Sequence, residues 1–76
     1  MKYAIDKVHP KMIEFGNNLS ALLADRHMSQ GDLAEQIGVD RGAISKYVTC
    51  TVAPGFRKLC AICDALGVTP NDLMGY

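Results

Sequence analysis

The stretch from Met28 to Tyr47 constrains this chain more than any other. Ser29 is placed to cap a helix: its hydroxyl can accept from a free backbone N–H of the first turn, and Asp32 adds negative charge at the positive end. Leu33, Ala34 and Ile37 then form one apolar stripe. Gly38 falls where a helix most readily ends, because glycine adopts a left-handed conformation without steric cost. Asp40 is placed to cap a second helix, in which Ala43, Ile44 and Tyr47 or Val48 face inward.

A second helix that starts so soon after the first must cross it steeply, which is a helix-turn-helix arrangement. The outer face of that second helix is left free, and it carries Arg41, Gly42, Ser45 and Lys46. These are donors and small residues with no bulky apolar side chain among them. Such a face suits base edges and phosphates in a major groove.

Phe15 to Met74 resembles the Cro and phage-repressor (XRE-type) helix-turn-helix family. The residues that carry the resemblance are Phe15-Gly16, Met28-Ser29-Gln30, Asp32-Leu33-Ala34, Gly38-Val39-Asp40 and Ala65-Leu66-Gly67-Val68. It implies an all-α, compact five-helix lambda-repressor-like domain whose recognition helix, about residues 41–49, enters the major groove. It further implies base contacts from Arg41, Gly42, Ser45 and Lys46. Gln30, at the start of its helix, would brace a phosphate, helped by the helix N-terminus, itself an anion site. Arg41 is the residue best suited to a bidentate guanine contact. Gly42 would allow close approach or leave room for a thymine methyl.

The chain departs from the family at three places. The family commonly has Arg at the position of Leu23, paired with an acid at the position of Val48; both are apolar here. A buried ion pair exchanged whole for apolar contact can be neutral or stabilising, so Leu23 is expected to touch Val48. The family also commonly has Asn-Gly-Lys after the recognition helix, where this chain has Thr49-Cys50-Thr51-Val52-Ala53-Pro54. Either that turn is built differently or Cys50 bears a strained backbone angle. Phosphate contacts then fall to backbone N–H groups, Thr49, Thr51, Arg57 and Lys58.

The net charge is zero, whereas a DNA-binding domain is commonly basic. The charge is unevenly spread, however. Residues 1–40 carry four basic and six acidic groups, and residues 64–76 carry two acids. Residues 41–63 carry Arg41, Lys46, Arg57 and Lys58 and no acid. Positive charge is thus concentrated in the recognition helix and the segment after it.

Length and hydropathy set the remaining bounds. The 76 residues suit one domain with a small core, burying about 60–65% of the unfolded surface. There is no apolar run long enough to span a membrane and no secretory leader pattern, so the expectation is a cytoplasmic protein with no membrane partner. Three cysteines do not make a disulfide framework. Cys60-Ala-Ile-Cys63 has metal or redox spacing, but it lies inside an apolar-periodic helix and neither His9 nor His27 has a matching spacing. Cys63 reads as a small core residue and Cys60 as its partly exposed neighbour, and no metal or cofactor is expected.

Along the rest of the chain, residues 1–10 read as a separate arm and residues 11–76 as the helix-turn-helix domain. The arm suits packing or a dimer contact better than DNA. A first helix is expected from Lys11 to Asp25 or Arg26, with Met12, Phe15, Leu19, Leu22 and Leu23 inward, Ala24 a further candidate, and Asn17, Asn18 and Ser20 exposed. A fourth helix, from Pro54 or Gly55 to Leu66, shows Phe56, Leu59, Ile62, Cys63 and Leu66 as its inner stripe. Thr69, Pro70 and Asp72 form a good start signal for a last short helix.

Taken together, the expectation is a sequence-specific double-stranded DNA-binding transcriptional regulator, repressor-like, acting as a homodimer on a pseudo-palindromic operator. The competing reading is a protein-interaction module of the same fold, an antitoxin or phage modulator with a protein partner. An enzyme is not expected, since no nucleophile–base pair is visible.

Overall fold

The computed structural model describes residues 10–75. Of the arm expected at residues 1–10, residues 1–9 lie outside the described residues, as does the last residue of the chain, and Pro10 opens the first helix. Five helices follow in order: α1 (Pro10–Asp25), α2 (Gln30–Ile37), α3 (Arg41–Val48), α4 (Phe56–Leu66) and α5 (Pro70–Met74). No strand occurs among the described residues. The recognition helix ends at Val48 with Thr49 as its C-cap, one residue short of the expected span.

Local chemistry accounts for the boundaries. Ser29 caps α2 in a full capping box: its Oγ accepts from the Asp32 N–H at 3.0 Å, while the Asp32 carboxylate accepts from the Ser29 N–H at 3.0 Å. Thr69 and Asp72 repeat the device at α5, with Pro70 at its first turn. Gly38 ends α2 in the left-handed region, φ 76°. Asp40 holds the N-cap position of α3 in extended backbone, but its side chain makes no capping hydrogen bond. Its charge is therefore not absorbed there as the sequence had suggested.

The core is a single cluster. Phe15, Leu19 and Leu23 of α1 meet Leu33 and Ala34 of α2, Ile44 and Tyr47 of α3, Ile62, Cys63 and Leu66 of α4, and Leu73 of α5. Val48 packs against this core, in which Leu23 is buried. No polar or charged residue is buried among the described residues. Leu23 and Val48 thus both belong to the apolar packing.

Two inward assignments are corrected. Phe56 is 80% exposed. It continues the stripe of Leu59, Ile62 and Leu66 by periodicity, but it opens α4, and the stripe there has run past the body that the helix packs on. Ala24 is exposed as well. Conversely Asn18, expected to be exposed, is half-buried: its Nδ2 donates to the Leu73 carbonyl at 2.8 Å. Lys11 Nζ donates to the Met74 carbonyl at 3.2 Å and pairs with Glu14 at 3.0 Å. Arg26 Nε donates to the Leu66 carbonyl at 2.8 Å. Side chains of α1 and the turn after it thereby satisfy carbonyls that the ends of α4 and α5 leave without helical partners.

Candidate nucleic-acid interface

The free face of α3 is set by which side of the helix the core takes. Ile44 and Tyr47 are buried, and Ala43 and Val48 are half-buried against the core. The opposite side presents Arg41, Gly42 and Lys46, all exposed. Ser45 is half-buried at the edge of this face, so it offers less to a groove than its helical position implied.

Arg41 does not stand alone. A Cβ added at Gly31 would lie 3.8 Å from Arg41 Cδ, so the arginine stem lies over the first turn of α2. That turn holds Gln30, half-buried, as its first helical residue. The structure thus brings the expected phosphate-bracing amide and the expected guanine reader onto adjoining turns of two helices. The free N–H groups at the start of α2 add partial positive charge there.

Gly42 faces open space. A Cβ added there would meet nothing within 4 Å, whereas one at Gly16 or Gly31, also within helices, would meet other atoms. Gly42 lines an open concavity of about 750 Å³ with Gly38, Val39, Asp40, Lys46 and Val52 among its walls. Nothing in the packing of this chain requires glycine at that position.

The turn after α3 holds a left-handed residue that is not glycine. Cys50 has φ 64°. Its N–H donates to the Tyr47 carbonyl at 3.2 Å, and the Thr51 N–H donates to the Lys46 carbonyl at 2.9 Å. This is a Schellman arrangement with cysteine where glycine is usual. The strained alternative raised by the sequence is the one the structure adopts. The thiol reaches back to α1, donating to the Met12 carbonyl at 3.2 Å. The sequence pattern gave no sign of this link, because cysteine at a helix end carries no periodic or capping signal.

Thr49 and Thr51 are exposed, yet their hydroxyls are engaged. Thr49 Oγ1 donates to the Ser45 carbonyl at 2.9 Å and lies 3.0 Å from Thr51 Oγ1. With the Thr49 proton on that carbonyl, Thr51 is the donor of the pair. In this arrangement neither hydroxyl has a proton to give a phosphate. Arg57 and Lys58 are exposed in the first turn of α4, beyond the loop of residues 49–55.

Cys60 is half-buried and Cys63 is buried on the inner side of α4. Burial pushes the Cys63 thiol up from its ordinary value, with Cys60, Asp64 and Asp72 adding to the effect. A raised thiol is the opposite of the activated thiolate that redox chemistry needs.

No curated protein matches the sequence. Solved structures match the fold closely. The restriction-modification controller protein C.AhdI from Aeromonas hydrophila superposes with a TM-score of 0.80 at 23% identity, over 86% of this chain and 98% of that one. The SOS-response transcriptional repressor LexA from Eubacterium rectale gives 0.83 at 22% identity, over 88% and 71%. The clp gene regulator ClgR from Corynebacterium glutamicum gives 0.81 at 24% identity, over 90% and 72%. The family model of the Cro/C1-type helix-turn-helix DNA-binding domain matches residues 18–76. With that match over most of its length, and with the helix-turn-helix and its exposed polar face in place, this chain belongs to the Cro/C1-type helix-turn-helix DNA-binding family.

Proposed function

We propose that this DNA-binding protein reads a specific double-stranded operator with α3 in the major groove, and that it acts as a non-enzymatic, repressor-like regulator in the cytoplasm. The observation that carries the proposal is the division of α3. Its apolar side is fixed in the core, which leaves Arg41, Gly42 and Lys46 as a rigidly held exposed face. Arg41 hydrogen-bonds a guanine edge, Lys46 and the edge residue Ser45 contact neighbouring bases, and Gly42 lets the groove floor come close. Gln30, Arg57 and Lys58 hold phosphates, and Thr49 and Thr51 join them only by re-aiming their hydroxyls.

A homodimer on a two-fold site, with half-sites about one helical turn apart, fits a module of this size. Phe56 at 80% exposure supports an apolar contact outside the reading face. The same residue is what favours the second reading, a module that engages another protein. No described helix is long and apolar enough to cross a membrane.

The experiment is selection of bound sequences from a random duplex pool at low salt, with the Arg41→Ala/Lys46→Ala double variant as control. An enriched motif that the variant loses is the expected result. A two-fold symmetric motif would carry the dimer with it. A folded wild-type protein that enriches nothing would overturn DNA reading in favour of the protein-interaction module.

A further inference from the structure

Gly16 sits in the middle of α1, outside the reading face, and is buried. A Cβ added there would lie 2.6 Å from Cys50 Sγ, 2.7 Å from the Val48 carbonyl oxygen and 3.1 Å from the Tyr47 carbonyl oxygen. Real Cβ atoms essentially never come within 3.0 Å of such neighbours. The backbone of Gly16 is helical, so a left-handed conformation is not what requires glycine here. In a helix interior glycine is less favourable than alanine. Its presence is explained by what it permits: α1 and the last turn of α3 touch almost backbone to backbone.

The two carbonyls belong to the recognition helix itself, at the end that leads into the Cys50 turn. They cannot rotate away as a side chain could. The Cys50 thiol is also held, donating to the Met12 carbonyl. Any side chain at position 16 must therefore push the C-terminal end of α3 outward. Ile44 is fully buried at the middle of α3, which anchors the centre of the helix in the core. Displacement of one end of an eight-residue helix about its centre swings the other end the opposite way, and that other end carries Arg41 and Gly42.

From this geometry we infer that Gly16 is a positioning residue for DNA recognition, setting the angle at which α3 presents Arg41, Gly42 and Lys46 to the major groove. The inference rests on the reading of α3 given above. It predicts a loss of a particular kind. Base contacts need their donors placed to a fraction of an ångström, whereas phosphate contacts from flexible lysine and arginine tolerate a tilt. A side chain at position 16 thus removes discrimination between sequences far more than it removes affinity for DNA at large.

The test uses the full chain carrying Gly16→Ala, with Asn17→Ala as control. Asn17 is exposed and neighbours Gly16 on the same helix, so it reports an alanine substitution in that turn without the contact. Backbone residual dipolar couplings of the free protein give the orientation of α3 relative to α1 and α2. Binding to the selected duplex and to a scrambled duplex gives the specificity ratio. For Gly16→Ala the expected result is a reoriented α3 and a specificity ratio reduced about tenfold or more, the scale of one lost base contact, with scrambled-duplex binding nearly unchanged. Asn17→Ala should leave both readouts at wild-type values.

A folded Gly16→Ala protein with wild-type couplings would overturn the inference, as would equal losses on both duplexes. If Gly16→Ala does not fold, Gly16→Ala/Cys50→Gly removes the thiol contact and gives the left-handed turn to glycine. That variant should fold with a displaced α3. Wild-type orientation in it, or failure to fold again, would reduce Gly16 to a core contact and overturn the inference. A wild-type protein that selects no sequence would bring down the operator reading instead, and the couplings of the free variants would still decide whether Gly16 sets the angle of α3.

Discussion

The thiol of Cys50 donates to the carbonyl of Met12 across 3.2 Å, tying the turn after the recognition helix to the first turns of α1. The same residue carries a left-handed backbone, which costs an L-residue other than glycine roughly 1–2 kcal/mol. Two opposed effects therefore meet at one position. Cys50→Ala keeps the backbone cost and loses the thiol contact, so it should destabilise the fold by about 1 kcal/mol. Cys50→Gly loses the contact but relieves the backbone, and should lie close to wild type. Chemical denaturation of the three proteins checks the order. A Cys50→Ala protein as stable as wild type would show that the thiol link holds nothing.

Arg41→Ala should cost about 1–3 kcal/mol on the selected site and relax discrimination at one base pair. Titration of a set of single-base variants of the site reads this directly. Equal weakening on every sequence would make Arg41 a phosphate contact.

Gly42→Ala should move stability and binding in opposite directions. The added methyl meets nothing in the protein and favours the helix, so the fold should gain up to about 1 kcal/mol. Affinity for the selected site should fall, because the methyl stands in the space where the groove floor approaches. Thermal melts and binding isotherms on the same preparation check both signs. Unchanged binding would remove Gly42 from the interface.

Lys58→Ala should weaken binding alike on all sequences and flatten the dependence of log affinity on log salt by about 0.9. An unchanged slope would place Lys58 off the DNA.

The two capping boxes predict an acid response. Hydrogen bonds from the Ser29 backbone and side chain hold the Asp32 carboxyl below its ordinary value, and those from Thr69 do the same for Asp72. A carboxyl whose folded value is lowered contributes stability that is present above its unfolded value, near 3.8, and is lost as pH falls toward the folded value. Stability should thus decline as pH drops through and below that point. The Asp32→Asn/Asp72→Asn double variant should show a shallower decline in denaturation midpoints over the same range. Identical pH profiles would mean that the boxes add no acid sensitivity.

Much of this architecture is local in origin, and local features are what a sequence displays. Ser29 with Asp32, Thr69 with Asp72 and the glycine at position 38 mark helix ends through contacts within a few residues, so the spans of α2 and α5 and the exposure of Arg41, Gly42 and Lys46 on α3 are legible without coordinates. The stripe of Leu59, Ile62, Cys63 and Leu66 marks the inner side of α4 in the same way. Periodicity says which side of a helix is apolar but not where the body beneath it stops, which is why Phe56 reads as buried and is exposed. Partners distant in sequence leave no local mark either. The Asn18 contact with Leu73, the Cys50 contact with Met12 and the approach of Gly16 to Tyr47 and Val48 exist only because separate helices are brought together. The sequence by itself determined which segments are helices and which face of α3 is free. Only the tertiary structure decided how that face is aimed, because its angle depends on the distance at which α1 and α3 can touch.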